Sequence, residues 1–188
     1  MSTTVKLVKH YPVLLNEVLN IISPLYGGTF IDCTFGQGGY SKEILKNNRN
    51  NVIAIDRDID VLSDAKLLKE KYKKRFSFKN LKFSQLDQLE NKHYKIKAII
   101  FDLGYSLNQI KDPKKGMSFE HNSKLNMRLG LNNFSADDVI NKMKRESLDK
   151  IFKLFGEEKK SKIISNLILK KRAIKKLNTQ DLVSIINY

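Results

Sequence analysis

The chain has 188 residues, 41% hydrophobic and 29% charged, enough for one domain with a core or a core plus a small appendage. It contains no run of about 18 apolar residues to span a membrane, its start lacks a signal-peptide pattern, and its one cysteine, Cys33, excludes an internal disulfide and a cysteine metal cluster. The expectation is a cytoplasmic protein without a bound metal. Thirty-five Lys and Arg against 20 Asp and Glu leave a net charge of +15, which favours a polyanionic partner. Between Lys142 and Lys176, 13 basic residues face four acidic ones, so the excess is concentrated there.

TFIDCTFG (29–36) is a short apolar run closed by glycine, and YSKEILKN after it reads as a short helix. NVIAID (51–56) is a second apolar run suited to a buried strand. From Asp60 to Lys74, Val61, Ala65, Leu68 and Tyr72 recur at helical spacing. FSFKNLKF (76–83) alternates as a peripheral strand does, and KIKAIIFDLG (95–104) is the fourth and most apolar strand. Strands alternating with helices predict parallel βα units in a doubly wound α/β sheet.

After Gly104 the pattern changes. Residues 105–134, with Pro113, Gly116, Gly130 and several Asn, predict an irregular loop. Ser135 followed by Asp138 predicts a helix start. Leu148, Ile151, Phe152 and Phe155 share one helical face, and Ile163, Ile164, Leu167 and Ile168 another. Thr179 is placed as the cap of a last helix, QDLVSIINY. No strand candidate follows residue 104, so the sheet is expected to be short, with one hydrophobic strand edge left open.

In open α/β sheets, ligands bind outside the carboxyl ends of the strands. Three features fall there. Phe35-Gly36-Gln37-Gly38-Gly39-Tyr40-Ser41 is a glycine-rich turn that lets backbone N–H groups approach a ligand, or simply turns tightly. Its spacing is not the G-x-G-x-x-G dinucleotide fingerprint, which argues against a nicotinamide-dependent oxidoreductase. Asp56 ends the second strand, where a carboxylate can accept both hydroxyl hydrogens of a ribose or cap the next helix. Asp102-Leu103-Gly104-Tyr105-Ser106 follows the fourth strand, where strand order should switch. There Asp102 either holds an amine or hydroxyl or caps the loop. Cys33 reads as a buried, inert thiol and His10 as structural.

Taken in order, HYPVLLNEVL (10–19), GGTFIDCTFGQGGYS (27–41), AIDRD (54–58), DLGYSLNQI (102–110), KGMSFEHNSKLNMRL (115–129), SADDVIN (135–141) and FGEEKKSKII (155–164) resemble the bacterial ribosomal small-subunit methyltransferase H family, also called MraW. The resemblance implies a Rossmann-like, S-adenosylmethionine-dependent methyltransferase domain over residues 1–112, followed by a helical RNA-recognition insertion over 113–188. It implies methylation of N4 of a cytidine in the decoding region of 16S rRNA, with the small ribosomal subunit as partner. It also implies a sheet completed by chain beyond this sequence. Carried over residue by residue, the cofactor contacts fall on Gly38, Gly39, Tyr40, Asp56, Phe83, Asp102 and Gln109, with Asp102 the candidate catalytic residue. Phe83 and Gln109 come from the resemblance alone. The family usually has His at Tyr40, Ser-Pro at Leu107-Asn108 and Asp at Asn126. An RNA-binding or assembly factor that kept the fold without the chemistry is the alternative.

Overall fold

The computed structural model describes residues 11–89 and 95–187; His10 and Tyr188 lie outside them. The chain divides into two compact units, Met1–Ser106 and Leu107–Tyr188.

The first unit is a four-stranded, all-parallel sheet of order β3-β2-β1-β4, built from β1 (Gly28–Asp32), β2 (Asn50–Asp56), β3 (Phe76–Asn80) and β4 (Ile96–Ile100). Helices α1 (Leu15–Ile22), α2 (Gly39–Ile44) and α3 (Leu62–Tyr72) belong to the same unit. Alternation along the strands separates two faces. Phe30, Val52, Ala54 and Phe76 pack with Ile44 at the end of α2, with Leu45 just after it, and with Ala65 and Leu68 of α3. Ile31, Cys33 and Ile55 form the opposite cluster. Arg75 ties the α2–β2 connection, its guanidinium donating to the carbonyls of Leu45, Asn47 and Asn50 at 3.2, 3.0 and 3.1 Å.

All four expected strands are present; β2 ends at Asp56 as expected, and the other three are shorter at their carboxyl ends than their sequence patterns suggest. β1 stops at Asp32 and β3 at Asn80. Phe83 therefore does not end the third strand but opens a 3₁₀ turn, Phe83–Gln88. The side-chain amide of Asn80 donates to the Asp56 carbonyl at 2.7 Å, and Leu81 N–H donates there at 3.1 Å, which closes the strand. β4, the most apolar strand, lies at a sheet edge, as the open-edge expectation requires. Ile96 and Ile99 remain 43% exposed and Phe101 47%. No helix among the described residues is long and apolar enough to cross a membrane.

The second unit is helical: α4 (Leu107–Lys111), α5 (Ala136–Lys142), α6 (Arg145–Phe155), α7 (Ser161–Arg172) and α8 (Thr179–Ile186). Leu125, Ile140, Leu148, Ile168 and Leu177 are its buried centre. Asn141 clamps the α7–α8 connection, accepting from Leu177 N–H at 2.9 Å and donating to its carbonyl at 3.2 Å. The expected helical faces need correcting at their ends. Phe155 is 85% exposed and Ile163 57% exposed, whereas Leu148, Ile164 and Ile168 are buried. Ser135 caps α5 as expected, with Asp138 completing a reciprocal capping box. The last helix is capped by Asn178 rather than Thr179, because the Thr179 hydroxyl is engaged with the His121 carbonyl and Ser123 N–H. Asn178 accepts from Asp181 N–H at 2.9 Å, so Asn178→Ala is expected to lower stability by about 1 kcal/mol in urea unfolding.

Part of the basic excess serves this unit internally. Lys142 pairs with Asp138, Lys171 and Lys175 with Asp181, and Lys176 with Asp137. Lys144, Lys150, Lys153, Lys162 and Lys170 are exposed and form no ion pair among the described residues.

Candidate active site

The strand order reverses between β1 and β4, so the crevice of an open α/β sheet falls at the carboxyl ends of these two strands and of β2. Three aspartates stand there. Asp32 ends β1, Asp56 ends β2, and Asp102 follows β4. They are close enough that Asp56 and Asp102 each raise the Asp32 pKa by like-charge repulsion.

Asp56 is held before any ligand arrives. Its Oδ2 accepts from Gly36 N–H and its Oδ1 from Asp58 N–H, both at 2.8 Å. The glycine-rich turn is thereby bonded to the second strand's carboxylate. Burial, with repulsion from Asp58, pushes the Asp56 carboxyl above its ordinary value, while these N–H bonds pull it down. A carboxylate offers about four acceptor sites, so acceptor capacity remains for an incoming diol. The helix-capping alternative belongs instead to Asp58, whose side chain accepts from Asp60 N–H at 3.2 Å.

The glycines of the turn have distinct uses. Gly38 takes a left-handed φ of +74° at the N-cap of α2, and a Cβ there would meet the Phe35 ring at 2.7 Å. At Gly39 a Cβ would collide with the Pro12 ring. These two positions are small for packing, whereas a Cβ at Gly36 would meet nothing nearer than the Thr34 carbonyl at 3.9 Å. Tyr40 is buried, and its hydroxyl donates to the Val13 carbonyl, so its side chain faces inward and only its backbone belongs to the turn's surface.

Asp102 is positioned through its main chain: its N–H donates to Thr34 Oγ1 at 2.7 Å, stitching the end of β4 to the loop after β1. A Cβ built on Gly104 meets nothing within 4 Å, so the backbone here is open to a planar group. Leu103 and Tyr105 are 70% and 63% exposed. Phe83, 42% exposed, packs edge-on against Phe101 with ring centroids 5.8 Å apart. Gln109 lies on α4, in the second unit.

Asp32 joins the site from within an apolar run, paired with Ser41 of the glycine-rich turn. Asp32 is fully buried; its Oδ2 accepts from Ser41 Oγ at 2.6 Å and its Oδ1 from Thr34 N–H at 3.3 Å. It thus spans both ends of the glycine-rich turn from beneath. The available signal was a carboxylate inside the apolar run Ile31-Asp32-Cys33, where an unpaired charge would be costly. Cys33 is buried and its thiol is pushed up to about 11, mainly by burial, so it stays protonated and inert near neutral pH.

The parallel sheet, the switch between β1 and β4, and a carboxylate closing the glycine-rich turn define a Rossmann-like α/β protein. The model of the MraW methylase family matches residues 7–188, and the chain belongs to that family. The chain is similar to proteins named ribosomal RNA small subunit methyltransferase H. It is 39% identical to that of Bartonella tribocorum over 179 residues, covering 95% of this chain and 53% of the relative. For Bartonella bacilliformis the identity is 40% over 175 residues, 93% and 52%. For Orientia tsutsugamushi strain Ikeda it is 37% over 178 residues, 94% and 57%. The chain spans about half the length of the curated relatives it matches.

Proposed function

We propose that this chain forms the cofactor-holding part of an S-adenosylmethionine-dependent methyltransferase that modifies N4 of a cytidine in the decoding region of 16S rRNA. The observation that carries the cofactor choice is the convergence of Asp32, Asp56 and Asp102 at the strand ends. Such a field disfavours the pyrophosphate of a dinucleotide and favours a ligand bearing a sulfonium and an ammonium group. Family membership, and relatives named as ribosomal RNA methyltransferases, support the same reading.

The residues present fit that ligand. Asp56 is pre-oriented to accept the ribose hydroxyls, and Gly36 leaves room for backbone approach, while Gly38 enters by family membership. Phe83, 42% exposed, is assigned to adenine, and Asp102, after β4, to the cofactor beside the β1–β4 switch. Gly39, Tyr40 and Gln109 are carried in this reading by family membership. When bound, the cofactor supplies an electrophilic methyl group.

The exocyclic cytosine amine is a poor nucleophile because its lone pair is delocalised into the ring. The protein's task is therefore positioning, with the base drawn out of its stack. Asp102 accepts an N–H of that amine, which turns its lone pair toward the methyl donor. The Gly104–Ser106 backbone supports the ring plane, and Tyr105 stacks on it. The partner is the small-subunit RNA, in the cytoplasm.

The test is methyl transfer from labelled S-adenosylmethionine to small-subunit rRNA, followed by nucleoside analysis. Label is expected in N4-methylcytidine. Asp102→Asn is expected to slow transfer about ten-fold, the worth of replacing a charge-assisted hydrogen bond by a neutral one. Label in another nucleoside, or an undiminished rate in the variant, contradicts the assignment.

A further inference from the structure

The second unit contains a cavity of about 210 Å³ that the cofactor site does not use, lined by Lys114, Lys124, Asn126, Arg128, Asp137 and Lys176, with Leu125 and Ser135. Four cations and one carboxylate line it, a net charge of +3. The carboxylate is already committed: Asp137 Oδ2 pairs with Lys176 at 2.9 Å, and its Oδ1 accepts from Asn141 at 2.9 Å. Lys114 and Lys124 are exposed and pair with no carboxylate among the described residues.

The cavity wall is built rather than a chance meeting of surface lysines. The 114–116 and 124–128 segments are bonded to each other: Met127 N–H donates to the Lys115 carbonyl at 2.6 Å, and Asn126 Nδ2 to the Lys114 carbonyl at 3.1 Å. Gly116, at φ +62°, lets the Lys124 carbonyl pass where a Cβ would stand. Asn126, fixed in this way, accepts from Arg128 Nε at 2.7 Å through its Oδ1. A neutral amide thus orients the guanidinium through Nε while cancelling none of its charge. The two terminal nitrogens keep the parallel N–H pair that matches a phosphate edge.

We propose that this cavity is a phosphodiester-binding pocket that seats one backbone phosphate of the RNA, with Arg128 as the bidentate anchor and Lys114 and Lys124 as supporting charges. The proposal rests on the reading of the chain as an RNA-binding protein and adds to it a fixed docking point. It differs from the cavity of about 300 Å³ between α7 and α8, which Lys170 and Lys171 share with the apolar Leu167, Ile174 and Ile185. A phosphate contact sets the register of the RNA and not its sequence, so the pocket orients the substrate without selecting the base.

The test is RNA binding by the full chain, with a small-subunit rRNA fragment as ligand and fluorescence anisotropy as readout across a salt series. Asn126→Asp pairs Arg128 with a carboxylate and also removes the Nδ2 bond to the Lys114 carbonyl, whereas Lys124→Gln removes one charge while leaving the Asn126 framework untouched. Each is expected to weaken binding about five- to ten-fold at low salt and to make the salt slope shallower by about 1. Lys153→Gln, on α6 outside the cavity, is expected to weaken binding less than either. Inorganic phosphate is the second arm, followed through the Arg128 Nε–H resonance, which is expected to shift in the parent and not in Asn126→Asp. If the parent binds RNA and both cavity variants bind it equally well, the pocket is refuted while RNA binding stands. If phosphate shifts the resonance but RNA affinity ignores the variants, the pocket serves a free phosphate compound instead of RNA. If the parent binds no RNA, the broader reading falls and the pocket assignment with it.

Discussion

Asp56→Ala is expected to lower the affinity for S-adenosylmethionine at least about 100-fold, which corresponds to about 3 kcal/mol. Two hydrogen bonds from ribose hydroxyls to a charged acceptor are worth that much, since each contributes about 1.5–3 kcal/mol. The alanine also leaves Gly36 N–H and Asp58 N–H without their acceptor, so the turn itself loosens. Asp56→Asn separates the two effects. Its single carbonyl oxygen can keep one of these N–H bonds, but the amide presents no second acceptor to a diol. Equilibrium dialysis should therefore find the asparagine variant weak as well, with circular dichroism matching the parent. Asn at parental affinity would assign the ribose to another residue.

The second large effect lies beneath the turn. Burial raises the Asp32 carboxyl from 3.8 to about 6, and its bonds from Ser41 and Thr34 only partly oppose this. The folded state therefore holds the Asp32 proton more tightly than the unfolded chain does. The resulting stability is fully present below the unfolded value and is lost as pH rises through about 6. Over this window the loss amounts to about 2–3 kcal/mol. Asp32→Asn is uncharged throughout, and its amide can accept from Thr34 N–H and donate to Ser41 Oγ. Relative to the parent, the variant is thus expected to gain about 2–3 kcal/mol between about pH 4 and pH 8 in urea unfolding. A difference between the two proteins that does not change with pH would contradict this account of Asp32.

How much of this was legible in the sequence varied with the range of the forces involved. Three of the four strands were readable as short apolar runs ending at a glycine or aspartate that marks the site, and the third by its alternation of apolar and polar residues. α1 was not readable. Its N-cap, Leu14, sits at a left-handed φ of 51° with no side-chain cap, so the usual start signal is missing. The alternation of FSFKNLKF runs on past Asn80, but the strand does not, because Asn80 turns its amide onto the Asp56 carbonyl. Asn178 and Thr179 are both competent caps. Only a bond to His121, 58 residues away, decides between them. Asp102 and Asp56 stood out as strand-end acids. Asp32 did not, because the apolar residues around it, which raise its pKa, also disguise it as core.

S-adenosylmethionine is assigned to the carboxyl ends of β1, β2 and β4. Backbone amide chemical-shift mapping of the chain during titration with S-adenosylmethionine, with NADH as control, tests this assignment most directly. The largest shifts are expected at Gly36–Tyr40, Asp56–Asp58 and Asp102–Gly104, with none from NADH. A saturating titration that leaves these amides unmoved, or moves them equally with NADH, would contradict the claim and favour an RNA-binding protein that kept the fold without the chemistry.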